Sequence, residues 1–339
     1  MDIIYTPKHQ LHVTEGLTID GSAWVLEEIP ARAEAIRAAL EAAALSEFHA
    51  PEDHGLEPIL AVHTADFVTY LQTAYARYTA QTGVPDPLMA WTFATRRTGP
   101  PLDSILAQRG YYAFSTDVPI GAGTWEAVYW SAQCALTAAT RVYAGTRAAY
   151  ALCRPPGHHA HADLYGGFCY LNNAAIAARA LQVHSSARVL VLDIDFHHGN
   201  GTQDIFYEDA DIAYVSLHGD PEHYFPYYWG RAAERGAGAG YGTNLNLPLP
   251  PHIDDTRYLA ELETALDFAR AFAPRYLVVS AGFDTAEGDL IGEFQITEAG
   301  FRDIGARIAA LGLPTVIVQE GGYDIARLGD YVAAFLNAW

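Results

Sequence analysis

The stretch LVLDIDFHHGNG (Leu190–Gly201) passes from an unbroken aliphatic run into two aspartates and two histidines within the six positions Asp193–His198. Val, Ile and Leu without polar alternation mark a strand buried on both faces, as in a parallel sheet. Four further runs read the same way: AAYALC (148–153), IAYVSLH (212–218), RYLVVSAG (275–282) and PTVIVQEGG (314–322). Amphipathic helical patterns lie between them. NNAAIAARALQVH has Asn172 as its N-cap, DDTRYLAELETALDFARAF is led by Asp254 or Asp255, and TEAGFRDIGARIAAL by Thr297. Strand and helix alternating in this way predict an α/β fold with a doubly wound sheet. No Ser/Gly/Pro-rich linker divides the chain, so a single domain is expected over residues 1–339.

In such sheets ligands bind beyond the carboxyl ends of the strands. Each run delivers polar residues to that edge: Arg154, His158 and His159 after the first, and Asp193, Asp195, His197 and His198 after the quoted one. His218 follows the third, Asp284 the fourth, and Glu320 and Tyr323 the fifth. A lone polar residue beside a strand is ordinarily a hydrogen-bonded structural group. Several at successive strand ends point to chemistry. Asp195 and His197, two apart on extended chain, face the same side. With Asp284 they make an O/N/O set for one divalent metal, and either Zn²⁺ or Fe²⁺ suits those ligands.

Composition excludes some partners. Of 339 residues 50% are hydrophobic, enough for a sizeable core, and 40 acidic against 20 basic residues give a net charge of −20. That field repels nucleic acid and anionic membrane surfaces. Cys134, Cys153 and Cys169 are too few and scattered for a disulfide framework. With neither a signal-peptide pattern nor a membrane-spanning apolar run, a cytoplasmic location is expected. One segment breaks the alternation: residues 83–123 mix Pro, Gly and aromatics with little periodicity, and a loop so long is commonly functional.

CRPPGHHAHADLYGGFCYLNNAAIAA, LDIDFHHGNGTQDIFY, SLHGD, SAGFDT and EGGYD resemble the signature blocks of the histone deacetylase superfamily, most of all its bacterial acetylpolyamine amidohydrolases. The likeness extends to RAEAI, to GLEPILAVHTADFVTYL and to the RRT, GYY and GTWEA pieces of the long segment. It implies a mostly parallel eight-stranded sheet with helices on both faces. It also implies that Asp195, His197 and Asp284 hold one Zn²⁺, and that His158 and His159 flank the attacking water. Asp193 resembles the partner of His158. Asn200 stands where many members place an aspartate against the second histidine. A neutral amide favours the imidazolium less than a carboxylate does, so His159 is expected to stay neutral and available as a base near pH 7.

By the same resemblance Tyr323 hydrogen-bonds the substrate carbonyl, Phe168 and Phe225 wall a narrow tunnel, and the Gly167 carbonyl meets the amide N–H. A structural K⁺ is implied at Asp193, Asp195, His197, Ser216 and Leu217, with a second site at Phe206, Asp209 and Ile212. The implied substrate is an acetylated polyamine or related small amine. Its distal ammonium groups would meet acidic residues at the tunnel mouth, for which Asp117 and Glu15 are the candidates. Leu106 falls where an acid would be expected. The 83–123 segment resembles loops that pack across a homodimer and narrow the entrance. Two other readings compete: a protein acetyl-lysine deacetylase, which needs an open mouth, and a non-catalytic ligand-binding module on the same fold. An arginase-like dimanganese site would need a second ligand set.

Overall fold

Alternate side chains of the strand that opens the motif enter opposite cores: Val189 and Val191 pack on one side of the sheet, Leu190 and Leu192 on the other. The period of two along an extended chain produces this division, and burial of both faces explains why the run carries no polar alternation. The computed structural model describes residues 1–14, 17–19, 22–45, 47–95 and 99–339. Among these the strands are β1 (Asp2–Ile4), β2 (Leu17–Ile19), β3 (Ser22–Trp24), β4 (Phe48–His49), β5 (Ala148–Ala151), β6 (Val189–Asp193), β7 (Ile212–Gly219), β8 (Asn244–Leu249), β9 (Tyr276–Ala281) and β10 (Thr315–Gln319). Eight of them form one sheet in the order β4-β1-β5-β10-β9-β6-β7-β8, every neighbouring pair parallel. β2 and β3 make a separate antiparallel ribbon.

Helices cover both faces, as expected. Ala65–Thr82, Thr124–Tyr143 and Asn173–Ser185 bury residues in the first core. Ala31–Ala42, Asp255–Phe272, Glu298–Ala309 and Ile325–Leu336 do so in the second. The expected caps form. Asn172 accepts from the Ala175 N–H, Asp254 from Arg257 and Thr297 from Gly300, each satisfying an otherwise orphaned donor. The three cysteines are buried and unpaired. No helix among the described residues is long and apolar enough to cross a membrane.

The 83–123 segment differs from a plain loop. It holds a helix, Ile105–Tyr111, entered at Ser104, and Leu88 and Ile120 pair in an antiparallel bridge that closes its base. Two turns of helix in so short a span leave too little periodicity to read. Gly83 ends the preceding helix at a φ of 70°, a left-handed conformation that favours glycine.

β6 continues outward to β7, whereas β9 continues the opposite way to β10. The order in which strands are added reverses between β9 and β6. That is the topological switch point, where the carboxyl ends of the strands open a crevice.

Three buried imidazoles tie stability to pH. His63 Nε2 accepts from the Asn172 N–H at 2.9 Å, His218 Nε2 lies 2.8 Å from the Gly230 carbonyl, and His12 Nδ1 lies 3.0 Å from Thr124 Oγ1. Burial lowers His12 to about 3 and both His63 and His218 to about 4. Unfolded, each takes a proton near about 6.5. The contribution of each to stability is therefore full above that value and falls as pH drops below it, by up to about 1.4 kcal/mol per pH unit. An NMR pH titration of the folded protein should leave His12, His63 and His218 neutral at about pH 5.5, and protonation of any of them above that value would contradict their neutral burial.

Candidate active site

β6 ends at Asp193, and the chain then bends over Asp195–His197, where Asp195 and His197 face the crevice while Phe196 between them enters the second core. Asp284 arrives from the end of β9. His197 Nδ1 lies 2.9 Å from Asp284 Oδ2 and 3.5 Å from Asp195 Oδ1. One ligand atom from each of the three residues falls within 4.8 Å of the others. Backbone donors also engage these carboxylates: Asp195 Oδ2 accepts from the Gly321 N–H at 2.9 Å, Asp195 Oδ1 from the His197 N–H at 2.9 Å and Asp284 Oδ1 from the Phe196 N–H at 2.9 Å. Those backbone donors fix the orientation of both carboxylates.

The electrostatics of the three fit a divalent cation. Burial, then the neighbouring Asp195 charge, pushes Asp284 up to about 7. Burial opposes the charge of Asp195 too, yet His158 and His197 hold that carboxyl well below its ordinary range. His197 is raised to about 9, its burial outweighed by Asp195 and Asp284. Two desolvated carboxylates side by side draw positive charge to this point, and two oxygens with one imidazole nitrogen suit Zn²⁺ or Fe²⁺.

The adjacent histidines differ sharply. His158 Nδ1 lies 3.1 Å from Asp193 Oδ2, an oxygen that also accepts from the Tyr214 hydroxyl at 2.9 Å. Burial opposes its charge, but Asp195 and Asp193 raise it to about 10. His159 Nδ1 faces Asn200 Oδ1 at 2.7 Å. Burial, together with the positive His158 and His197, lowers His159 well below the usual imidazole value. One ring is held charged and the other neutral, 4.0 Å apart between centroids.

Both rings, with His197 and Tyr323, line a pocket of about 230 Å³. Gly167, Phe168, Phe225 and Ile291 complete its apolar walls. Phe225 stands edge-on to His159, with centroids 4.9 Å apart, and Phe168 lies 5.8 Å from Tyr323. At Gly167, where φ is 56°, an added Cβ would come within 2.4 Å of His159 Cδ2, so only glycine fits there. Asp117 sits in the pocket wall rather than on an exposed rim. Its Oδ1 accepts from the Ser115 hydroxyl and, at 3.2 Å, from the Gly167 N–H, and burial raises its carboxyl. Glu15 lies outside the described residues. Leu106 is 40% exposed on the short helix of the long segment.

Of the residues associated with K⁺, Asp193, Asp195 and His197 stand together, Asp193 Oδ1 accepting from the Asp195 N–H at 3.1 Å, and Ser216 pairs with Asp193 across β6 and β7, followed by Leu217. Asp209 accepts from the Ile212 N–H at 3.0 Å and pairs with Arg179 at 2.8 Å, so its carboxylate is committed, while Phe206 lies under the same guanidinium.

Other groups shape the site, and of these only Arg154 and Glu320 are marked in the sequence, as polar residues at strand ends. Arg32 donates to the Gly322 carbonyl at 2.6 Å and the Glu320 carbonyl at 2.7 Å, and its guanidinium lies 4.5 Å from the Tyr323 ring centroid. Glu28 bridges it to the buried Arg154, each contact 2.9 Å. Asp289 accepts from the Tyr323 N–H at 2.7 Å. Glu320 accepts from the Gly157 N–H at 2.7 Å beneath the histidine pair, and burial pushes it up to about 7. Tyr214 reads as one more strand residue, and a charge opening an amphipathic helix reads as solvated. Only the pairing of distant segments reveals these partners.

Residues 26–339 match the family described as Histone deacetylase domain. The chain is 45% identical over 329 residues to acetylpolyamine amidohydrolase 1 of Pseudomonas aeruginosa, covering 96% of this chain and 95% of that protein. It is 42% identical over 338 residues to acetylpolyamine amidohydrolase of Mycoplana ramosa, covering 99% of each. A crystal structure of acetylpolyamine aminohydrolase from Burkholderia pseudomallei superposes with a TM-score of 0.93 at 43% identity, covering 100% of this chain and 98% of that one. With the domain match spanning residues 26–339 and these relatives aligned end to end, the chain belongs to the histone deacetylase family.

Proposed function

We propose that this protein is a zinc-dependent amidohydrolase that removes acetyl groups from acetylated polyamines or related small amines. The observation that carries the reading is one narrow pocket on which a metal-ligating set, a neutral imidazole, a charged imidazole and a buried phenol converge. The names of the relatives supply the substrate class. A divalent ion held by Asp195, His197 and Asp284 would polarise the acetyl carbonyl and acidify a water. His159, with Nδ1 turned to Asn200, takes the water proton at Nε2 and returns it to the departing amine nitrogen. His158 stays protonated against Asp193 and contributes a fixed positive charge rather than a base. Tyr323 keeps its proton, because burial raises it well above the usual phenol value, and donates a hydrogen bond to the developing oxyanion. Phe168 and Phe225 enclose the aliphatic chain, and the Gly167 carbonyl accepts from the amide N–H.

A structural K⁺ at Asp193, Asp195, His197, Ser216 and Leu217 and a cytoplasmic setting that keeps the buried thiols reduced belong to the same proposal. So does a homodimer formed through residues 83–123, where Trp91 is 46% and Leu102 71% exposed. Rates on acetylputrescine, acetylspermidine and an acetyl-lysine peptide test the substrate class. Similar or faster turnover of the peptide would replace it with a protein deacetylase.

Asp284→Ala removes one of three ligands, so metal content by elemental analysis and activity should fall together. Stoichiometric metal with normal turnover would put the ion elsewhere. Tyr323→Phe deletes one donor to the oxyanion and should lower kcat by roughly 10²–10³ with a smaller change in KM. An unchanged kcat would remove the phenol from the reaction. Asp117→Asn should weaken acetylated polyamines by about tenfold or more, the scale of one hydrogen bond to a charged group, and leave a neutral acetylated amine untouched. A uniform loss would instead assign Asp117 to holding the Gly167 backbone. Light scattering should report a dimer, and a stable monomer would exclude the proposed role of the long segment.

A further inference from the structure

Beyond His159 the hydrogen bonds continue in one line to the protein surface. Asn200 is fully buried, and its Nδ2 lies 2.9 Å from His161 Nε2. His161 Nδ1 lies 3.0 Å from Asp204 Oδ2, with the carboxylate side chain 55% exposed and the imidazole only 4%. His161 is also clamped between aromatic rings, 5.6 Å from Phe114 and 5.5 Å from Trp229 by centroids, which fixes its plane.

Donor and acceptor counting along this line leaves one arrangement. An ionised carboxylate only accepts, so His161 donates to Asp204 from Nδ1, and in the neutral ring Nε2 is then an acceptor. The Asn200 NH₂ group must point at that acceptor, because a buried amide donor needs a partner. Its carbonyl oxygen is thereby turned to His159 Nδ1. An oxygen cannot donate, so His159 carries its proton on Nδ1 and keeps the Nε2 lone pair for the pocket.

We propose that His161 and Asp204 are positioning residues that lock the Asn200 amide in one of its two flips and so set the His159 tautomer. The inference rests on the assignment of His159 as the base in amide hydrolysis. Neither residue touches the pocket. Where an aspartate would accept in any orientation, an asparagine can present either O or N, and the His161–Asp204 pair supplies the missing direction.

Histidine-labelled enzyme tests this by ¹⁵N NMR, with the His159 signals assigned by their loss in His159→Gln. The wild type should show a protonated Nδ1 and an unprotonated Nε2. His161→Phe keeps the ring volume and removes the acceptor, so the Nε2–H tautomer should appear and kcat should fall at least about tenfold with KM nearly unchanged, since the wrong tautomer withholds the base. His161→Gln should retain most of the rate, because its amide can donate to Asp204 and present a carbonyl to Asn200. Asp204→Ala alters a half-exposed side chain and should shift the tautomer in the same direction even if His161→Phe does not fold. An unchanged His159 tautomer in either His161→Phe or Asp204→Ala would overturn the proposal, as would a His161→Gln enzyme as slow as His161→Phe. The spectra need no substrate. Failure of the wild type to cleave any acetylated amine would therefore sink the functional reading and leave the tautomer result standing on its own.

Discussion

Two carboxylates face each other out of reach of water, and the rest of the site is arranged around that repulsion. Asp195 and Asp284 come from neighbouring strands at the place where the sheet reverses its winding, so the backbone brings them together whatever their charges prefer. Inside a protein such a pair is costly unless positive charge lies between them. Backbone N–H groups of Phe196 and Gly321 hold one oxygen of each, and an added Cβ at Gly321 would fall 2.6 Å from Asp195 Oδ2 and 2.7 Å from Asp284 Oδ2. The absence of a side chain there is thus part of the electrostatics. It lets the chain approach closely enough to donate.

From that charge the division of labour in the histidine pair follows. His158 and His159 are consecutive, equally buried and nearly in contact, yet their affinities for a proton move in opposite directions. His158 sees Asp193 and Asp195 directly. His159 sees an amide and two imidazoles that are themselves drawn positive, so the same acidic cluster that charges one ring discharges the other at second hand. A base and a fixed cation are obtained from one residue type by neighbours alone.

Much of this is legible in the sequence. Strands β5, β6, β7, β9 and β10 have continuous aliphatic runs because both faces are buried, and three helices carry side-chain caps at the residues that announce them. β8 was not legible: NLNLPL alternates, its asparagines Asn244 and Asn246 being spent on a buried network with Gln203 and His198 instead of on solvent. β1 and β4 have three and two residues, too few to show a period. At the site, residue types and strand ends point to Asp195, His197 and Asp284, and the family resemblance supplies the roles of the histidines and Tyr323. Of the Arg32–Glu28–Arg154 network only Arg154 is marked, at a strand end; Glu28 lies 126 positions from it, and a charged residue near a helix start carries no mark of burial. Asp117 shows the converse: an acid in a polar segment suggests exposure, and the fold turns it inward against Gly167.

The position of β10 has a bearing on how the molecule comes into being. This strand is the last of the sheet to leave the ribosome, yet it lies near the middle, between β5 and β9. Until Thr315–Gln319 emerges, those two neighbours each present an unpaired row of backbone donors and acceptors, the kind of edge that recruits other strands. The sheet cannot be zipped outward from a finished centre. A nascent chain must hold two half-sheets apart and then admit the closing strand between them, and the loop that carries Tyr323 follows only four residues behind it.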